Sequence, residues 1–317
     1  MEIKDTVNSS RQVRAFAPAT VANVVCGFDV FGFAVHKPGD TVTLRWRDEP
    51  GVIITSITGD GGQLPLEAAR NTAGAAVISF LEQAGIQRGV EMELAKGLPL
   101  GSGMGSSAAS AVAALVAVNA LSGCNLSRAE LLPIAMESER LACGSAHADN
   151  AAPGLYGGFV LVRSYDPLDV VSIPFPDTLR CVLVHPDLEL KTRDARRVLR
   201  GTLSLKDAVT QWGNTAGMVA GLMKGDLELI GRSMEDKVAE PVRSLLIPGY
   251  DQVRQAARAA GAIGCGISGS GPTMFAFCQG NTMHVADAMQ RAFLAAGLSS
   301  SSYHSRVDQQ GAIILDA

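Results

Sequence analysis

The pattern of hydrophobic and polar positions changes its period between residues 90 and 121. Residues 90–94 alternate apolar and acidic side chains, which is typical of a half-buried strand. Residues 108–121 are almost all Ala, Val and Leu, and this run is too long for a strand and contains neither Gly nor Pro. It predicts a buried helix that begins near Ser106 or Ser107, since serine is a good N-cap residue. A glycine-rich loop therefore joins a strand directly to a helix N-terminus.

That loop carries glycine at three alternate positions, Gly101, Gly103 and Gly105. Glycine adopts positive φ without a Cβ in the way, so the backbone amides can curve around an anion. The free N–H groups and the positive dipole end of the next helix favour the same ligand. No Gly-Lys-[Ser/Thr] closes the loop as in a Walker A motif, and its spacing differs from G-x-G-x-x-G. A flexible Gly/Ser linker is the alternative, but linkers seldom join a strand to an apolar helix. The loop predicts a phosphate-binding site.

Strands and helices alternate along the rest of the chain and predict an α+β fold. Strands are predicted at 13–16 (ended by Pro18), 41–46, 52–54, 158–162, 181–184, after a second glycine-rich loop within 263–277, and at the C-terminus. Helices are predicted at 68–83, 127–141, 194–199, 205–223, 227–234, 250–260 and 283–296. Pro133 should bend its helix or move the start of that helix later, and residues 144–154 predict a polar loop. The rigid stretch at 174–177 predicts two domains, 1–175 and 176–317.

Composition limits the class of protein. Of the 317 residues, 47% are hydrophobic and 18% charged, which is enough material for buried cores, and the net charge of −4 argues against a nucleic-acid partner. Six cysteines without C-x-x-C pairing suit reduced thiols in the cytoplasm. The first residues lack the apolar core of a signal peptide, and the longest apolar run is shorter than the roughly 20 residues of a membrane span. We expect a soluble cytoplasmic protein without a membrane partner.

Three motifs in this order resemble those of the GHMP small-molecule kinases: residues 18–29, 98–110 and 266–273. Within that superfamily the chain is most similar to the homoserine kinases, over nearly its full length. The residues that carry this narrower similarity are the first motif, His147-Ala148-Asp149-Asn150, Glu240-Pro241-Val242-Arg243 and Pro248-Gly249. The first motif departs from the family pattern at two places, with Thr20-Val21 for two serines and Val25-Cys26 for Gly-Pro. The resemblance implies an N-terminal domain of the ribosomal-protein-S5-like domain 2 type and a C-terminal ferredoxin-like α/β sandwich.

The resemblance also implies an activity, the ATP-dependent phosphorylation of L-homoserine to O-phospho-L-homoserine in threonine biosynthesis. One alternative is a mevalonate-type kinase of the same superfamily, whose acceptors lack an ammonium group. Another is a non-catalytic metabolite sensor of the same fold. A homodimer is common in the family, although nothing in the composition indicates one.

For the nucleotide, the resemblance implies that the glycine loop wraps the triphosphate and that Asn71 and Lys96 lie near the nucleoside. The loop residues concerned are Pro99, Leu100, Gly101, Ser102, Gly103, Met104, Gly105, Ser106, Ser107, Ala108 and Ala109. It also implies that Ser107 and Glu139 hold Mg²⁺, a hard cation that prefers oxygen ligands. The alternative for Asn71 and Lys96 is an ordinary surface position. For Glu139 it is a solvated helix face, since Glu137 and Arg140 stand beside it.

For the acceptor, the resemblance implies that Asn23 and Asp29 bind the ammonium group and that Arg196 and Arg243 bind the carboxylate. Guanidinium groups suit the second task because they are always charged and can bind in a bidentate way. Arg193 and Arg197 stand near Arg196, and the alternative for all three is a basic helix surface. Arg196 is preferred because it follows Thr192 by four residues and so shares its helix face.

At the reacting hydroxyl, the resemblance implies a hydrogen bond from Asn150, with His147 and Asp149 shaping the pocket and Thr192 close by. Asp149 is the candidate base, but a loose phosphoryl-transfer transition state requires position more than strong deprotonation. Both roles of Asp149 stay open, and His147 taken alone has a structural role as its alternative. Residues 266–273 form either a loop that supports the site from the second domain or a simple turn between strands.

Overall fold

A computed structural model of the chain describes residues 12–143 and 147–317. Residues 1–11, which carry the expectation about a signal peptide, and residues 144–146 of the predicted polar loop lie outside the described residues. The strands of the described part are β1 (Gln12–Ala22), β2 (Phe31–Arg47), β3 (Val52–Thr58), β4 (Gly89–Ala95), β5 (Phe159–Tyr165), β6 (Leu168–Ile173), β7 (Arg180–Pro186), β8 (Gly264–Ile267), β9 (Met274–Cys278), β10 (Ser300–Arg306) and β11 (Ile313–Asp316). Its α-helices are α1 (Thr72–Ala84), α2 (Ser106–Ser122), α3 (Arg128–Cys143), α4 (Ala148–Tyr156), α5 (Thr192–Arg197), α6 (Leu205–Lys224), α7 (Leu227–Ser233), α8 (Glu240–Arg243), α9 (Tyr250–Ala259) and α10 (Thr282–Ala295). Short 3₁₀ helices lie at Ala68–Arg70 and Ser244–Leu246.

The described strands form two sheets. The first has the order β11-β1-β2-β4-β3, and β5 and β6 extend it from β2. All of its pairs are antiparallel except β3 with β4. The second sheet has the order β10-β7-β9-β8 and is antiparallel. The last strand thus joins the first sheet, with Ile313 opposite Phe16. The division into domains 1–175 and 176–317 stays a prediction.

An aromatic cluster connects the two sheets. Phe33 of β2 stacks on Phe159 of β5 with ring centroids 4.7 Å apart, and Phe277 of β9 lies 5.2 Å from Phe33. Helix α2 packs between the first sheet and helices α1, α3 and α4, and most of its side chains are buried. This burial explains why its sequence has no polar stripe. A separate core lies between the second sheet and helices α9 and α10. The helices of the described residues include none with the length and apolarity of a membrane span.

The structure confirms the strand, loop and helix predicted around the glycine loop, and it corrects several local predictions. The cap of α2 is Gly105 and not a serine. Strand β1 continues through Pro18, which lies where the register with β2 shifts, so its missing N–H breaks no regular ladder bond. Helix α3 starts before Pro133 because Ser127 and Glu130 form a reciprocal capping box at its beginning.

The predicted polar loop was wrong from residue 148 onward. Helix α4 begins at Ala148 and contains Pro153 in its last turns. It is only nine residues long and contains both Pro153 and Gly154, and a proline and a glycine in so short a segment weaken any helix prediction. Strands β6 and β10 were also not predicted.

Candidate active site

The first glycine loop connects β4 to α2. Gly101, Gly103 and Gly105 have φ values of +59°, +78° and +68°, the left-handed region that the sequence required of them. Gly105 is the N-cap residue of α2 and offers no side chain to the amides of the first turn. Those amides are therefore suited to an external anion at the positive end of the helix.

The second glycine loop, residues 266–273 between β8 and β9, packs directly on the first. Ser268 Oγ donates to Gly103 O at 2.7 Å, and Thr273 N donates to Ser102 O at 3.1 Å. A Cβ at position 103 would lie 2.5 Å from Ser268 O and 2.7 Å from Gly271 O. The second loop therefore does more than connect two strands, because glycine at 103 allows its close approach to the first.

A cavity of about 410 Å³ opens where the two loops meet. Of the residues predicted for the site, the following line it: Asn23, Asp29, Gly101, Ser102, Gly103, Gly105, Ser106, Ser107, Glu139, His147, Asp149, Asn150, Thr192, Arg196 and Arg243. Glu189, Lys191, Arg193, Gly269 and Ser270 also line it, although the sequence did not single them out as site residues. Thr192 Oγ1 lies 3.4 Å from Ser270 Oγ at its wall. The sequence could have identified Lys191 as a site residue, because it directly precedes the predicted site residue Thr192.

Other predicted residues lie elsewhere. Pro99 and Leu100 line an adjoining cavity of about 310 Å³, and Glu189 lines both cavities. Three members of the loop and of the first turn of α2 are almost fully buried: Met104, Ala108 and Ala109. Asn71 is buried and caps α1, with its Oδ1 accepting from Ala73 N at 3.0 Å. The Lys96 ammonium is buried against Asp40. Nucleoside contacts by Asn71 and Lys96 stay predictions.

Two arginines line the cavity close to Phe28. Arg196 Nη2 donates to both carboxylate oxygens of Asp29, at 2.9 and 2.8 Å. Arg243 is buried and donates to two backbone carbonyl oxygens at 3.0 and 3.1 Å, the nearer one belonging to Gly269. Both guanidinium groups lie over the Phe28 ring, 5.6 and 5.3 Å from its centroid. This is the range of a cation–π contact, so Phe28 helps to hold both cations at one place.

Asp29 is held by an unusual backbone turn. Asn23, Val24 and Val25 have φ values of 67°, 45° and 62°, which is strained for β-branched residues. The Asn23 side chain holds this turn against the second glycine loop and fixes Asp29, because its Nδ2 donates to Gly269 O and its Oδ1 accepts from Asp29 N, both at 2.9 Å. The chain thus makes this left-handed turn without the glycine that the family pattern often has.

Helix α4 and its N-cap residue bring three predicted residues to the cavity: His147, Asp149 and Asn150. Asn150 Oδ1 accepts from Thr20 Oγ1 at 2.7 Å, and Thr20 N donates to Met104 O at 3.0 Å. Thr20, which the sequence marked only as a departure from the family pattern, therefore ties Asn150 to the glycine loop. Burial and the charge of Asp29 raise the pKa of Asp149 to about 7.

His147 stands at the start of α4, with Nδ1 3.9 Å from Asp29 Oδ2. Burial is the main reason that its pKa lies below the usual value, and Asp29 opposes the shift. A neutral imidazole next to a carboxylate can donate or accept a hydrogen bond, so His147 suits the shaping role predicted for it.

Glu139 belongs to the cavity and not to a solvated face. Burial and the charge of Asp149 raise its pKa to about 8, whereas Glu137 pairs with Arg140 Nε at 2.8 Å on the exposed side. Ser107 Oγ lies 3.0 Å from Thr72 Oγ1. Asp149 Oδ1 is buried, and no described residue forms a hydrogen bond with it. Glu139, Asp149 and Ser107 all line the cavity, and their oxygen atoms are the kind of donor that a hard divalent cation prefers.

Comparison with known proteins gives a consistent result. Residues 71–158 match the model of the GHMP kinases N terminal domain, and residues 218–297 match that of the GHMP kinases C terminal. A homoserine kinase of Chlorobium phaeobacteroides (strain BS1) is 52% identical, covering 96% of this chain and 100% of that protein. The crystal structure of homoserine kinase from Cytophaga hutchinsonii superposes with a TM-score of 0.93 at 54% identity and covers 99% of both chains. The L. major mevalonate kinase is 18% identical with a TM-score of 0.71, over 95% of this chain and 98% of that one, and shares the fold alone.

Proposed function

Because this chain belongs to the GHMP kinases and, within them, to the homoserine kinases, we infer that it transfers the γ-phosphoryl group of ATP to the side-chain hydroxyl of L-homoserine. The products are O-phospho-L-homoserine and ADP, and the reaction belongs to threonine biosynthesis. The chain is an enzyme, which sets aside the sensor of the same fold. A mevalonate-type activity is not favoured, since the likeness to that enzyme extends to the fold only.

One observation carries this proposal. A single cavity joins the N-terminus of α2, suited to phosphate, to the ion pair of Asp29 and Arg196, suited to a zwitterion. Phosphoryl transfer requires that both partners be held in line with their charges neutralised, and little else. Mevalonate has a carboxylate but no ammonium group, so it offers no cation that the Asp29 carboxylate could bind.

We propose that the triphosphate lies against the amides of residues 101–107 and that the nucleoside lies against Pro99 and Leu100 in the adjoining cavity. Glu189 lines both cavities, so the nucleotide would pass beside it. Lys191 also lines the main cavity, and its ammonium group is an additional cation for the phosphates.

Ser107 and Glu139 would hold Mg²⁺. Their donor set fits, because burial and the charge of Asp149 raise the pKa of Glu139 to about 8, and a bound cation would offset both effects. Within the described residues, no three His, Cys, Asp or Glu side chains form a complete metal site, so phosphate and water would supply the remaining ligands. When bound, the ion would neutralise charge on the phosphates.

On the acceptor side, Asp29 and Asn23 would receive the ammonium group, and Arg196 and Arg243 the carboxylate. His147 would shape the pocket wall. Asn150 would hold the reacting hydroxyl, with Thr192 and Asp149 beside it. We propose that Asp149 acts by position, since a loose transition state leaves little demand for a strong base. A homodimer, the absence of nucleic-acid partners and a cytoplasmic location stay predictions.

The test is a coupled assay of ADP release with purified chain and a panel of acceptors. We expect turnover with L-homoserine that is lost when EDTA removes divalent cations, and little turnover with mevalonate. The Ser107→Ala/Glu139→Ala double variant should lose turnover far more than homoserine binding. Turnover on mevalonate but not on homoserine would overturn the assignment.

A further inference from the structure

A buried ion pair lies directly behind the first glycine loop. Asp40 of β2 and Lys96, the residue after β4, contact each other through side chains that are 0% and 1% exposed. Lys96 was predicted to lie near the nucleoside, but neither Asp40 nor Lys96 lines either of the two cavities described above. Buried charges need a reason, since their desolvation can cost more than their attraction returns.

Lys96 reaches the far end of the loop. Its Nζ donates to Asp40 Oδ2, to Ser106 O at 2.9 Å and to Ser110 Oγ at 2.7 Å. An ammonium group has three protons, so every one of them is used. Two of the acceptors belong to the first turns of α2, the helix whose N-terminus faces the cavity.

Asp40 holds the near end of the loop. Its Oδ1 accepts from Gly97 N at 3.0 Å and from Leu98 N at 3.2 Å, and its Oδ2 accepts from Ser110 Oγ at 2.7 Å as well as from Lys96. The residues where the loop leaves β4 and those where it enters α2 are thereby bound to one carboxylate–ammonium pair.

We propose that Asp40 and Lys96 position the glycine loop for the triphosphate from behind, and that Lys96 acts as a positioning residue without touching the nucleotide. This inference rests on the proposed function, in which that loop binds the phosphates. The pair fixes the distance between the two ends of the loop, so the amides of residues 101–107 need no rearrangement when the anion arrives. Preorganised donors of this kind bind better than donors that must first be ordered.

An apolar pair of similar volume could fill the same space but could not replace these bonds. It would leave Gly97 N and Leu98 N without their side-chain acceptor, and Ser106 O would lose the Lys96 ammonium as a donor, so each end of the loop would lose a bond to the pair. The structural reason for an ionic pair is therefore directional bonding to the loop ends.

The experiment compares three variants by titration calorimetry at a temperature well below unfolding. Ser110→Ala removes the bridging hydroxyl, and Asp40→Asn/Lys96→Met removes both charges but keeps an oxygen for Gly97 N and Leu98 N. Phe293→Leu, in the separate core under α10, is the control for general destabilisation. The ligands are ATP, inorganic tripolyphosphate and L-homoserine. We expect the double variant to bind ATP and tripolyphosphate roughly fivefold or more weakly, by the same factor, with Ser110→Ala in the same direction and homoserine affinity unchanged.

Three outcomes overturn the inference. The first is a double variant that binds tripolyphosphate as well as the wild type but binds ATP poorly, which would make Lys96 a nucleoside contact. The second is a control that weakens both phosphate ligands as much as the double variant does. The third is wild-type affinity in both test variants. If the double variant does not fold, Ser110→Ala decides alone. If the wild type binds neither phosphate ligand, the proposed function fails and takes this inference with it.

Discussion

The two glycine-rich loops look alike in sequence and face each other in the fold, yet a different kind of carboxyl group stands behind each. Behind the first, Asp40 is paired with Lys96. Behind the second, Glu240 accepts from Ile267 N at 2.6 Å and from Tyr250 Oη at 2.8 Å. Burial raises the pKa of Glu240 to about 7, so the carboxyl group behind the second loop titrates near neutral pH.

The loops also differ in where their polar groups point. The first loop ends at a helix N-terminus that faces the cavity. In the second loop, Ser268 Oγ and Thr273 N donate hydrogen bonds to the first loop, and the chain then continues into β9. Its Gly269 carbonyl accepts from both Asn23 and Arg243. Glycine content alone therefore does not identify a ligand-binding loop. The secondary-structure elements that flank the loop determine whether its amides are free to bind a ligand.

The largest effect should follow from a methyl group at the contact between the loops. Gly103→Ala would bring its Cβ to 2.5 Å from Ser268 O, which is a backbone atom and cannot move away as a flexible side chain could. We therefore expect a loss of more than about 4 kcal/mol in the free energy of unfolding. Gly123→Ala is the matched control, because Gly123 has a φ of +70° but no atom within 4 Å of its Cβ position. It should lose only about 1 to 2 kcal/mol. Equal losses in urea unfolding would mean that the loops do not press on each other.

The next prediction compares how much the carboxyl groups of Asp40 and Glu240 contribute to the free energy of unfolding. Lys96→Met leaves Asp40 buried without its counter-ion, and we expect a loss of about 3 to 5 kcal/mol in unfolding free energy. Glu240→Gln keeps an oxygen for Ile267 N and the shape of the side chain, so its loss should be about 1 kcal/mol. The measurement is again urea unfolding at neutral pH. A loss in Glu240→Gln as large as in Lys96→Met would remove the distinction.

A third effect tests the acceptor side, which the second loop supports. Arg196→Met should lower kcat/KM for homoserine about 100-fold, because it removes the charged hydrogen bonds that we propose Arg196 makes to the carboxylate of the acceptor. The KM for ATP should change little. Arg197→Met on the same helix is the control, since Arg197 is 70% exposed and pairs only at the surface with Asp194. If steady-state kinetics show the same loss in both variants, Arg196 has no special role in binding the acceptor.

The smallest effect is a pH dependence of stability from Glu240. A raised carboxyl pKa means that the folded state holds the proton more firmly than the unfolded state, so this group lowers stability as pH rises from its unfolded value toward about 7. Glu240→Gln lacks this contribution. Between about pH 5 and about pH 7 the wild type should therefore lose roughly 2 kcal/mol relative to the variant.

The groups near this carboxyl are Tyr250, Arg254, Asp236, Cys265 and Cys26, and all of them are retained in the variant. The difference between the two chains thus isolates Glu240. Parallel stability curves over this pH range would show that Glu240 does not titrate there.

The first loop could be predicted from sequence because its strand, glycines and helix are contiguous. The acceptor side could not, since Asp29, Asn150, Arg196 and Arg243 come from distant segments, and only the family resemblance named them. The partner of Lys96 lies 56 positions away in another strand, so no local pattern shows that its side chain turns inward. Helix α4 was missed for a different reason, because it is short and Pro153 lies inside it.

In the proposed mechanism, the first loop binds the phosphates and the second loop supports the first. Hydrogen exchange of the wild-type chain, with and without a non-hydrolysable ATP analogue and Mg²⁺, tests this most directly. We predict that the amides of residues 101–107 gain protection on addition of the analogue, while those of residues 266–273 change little. Protection that appears in the second loop and leaves the first unchanged would contradict the account.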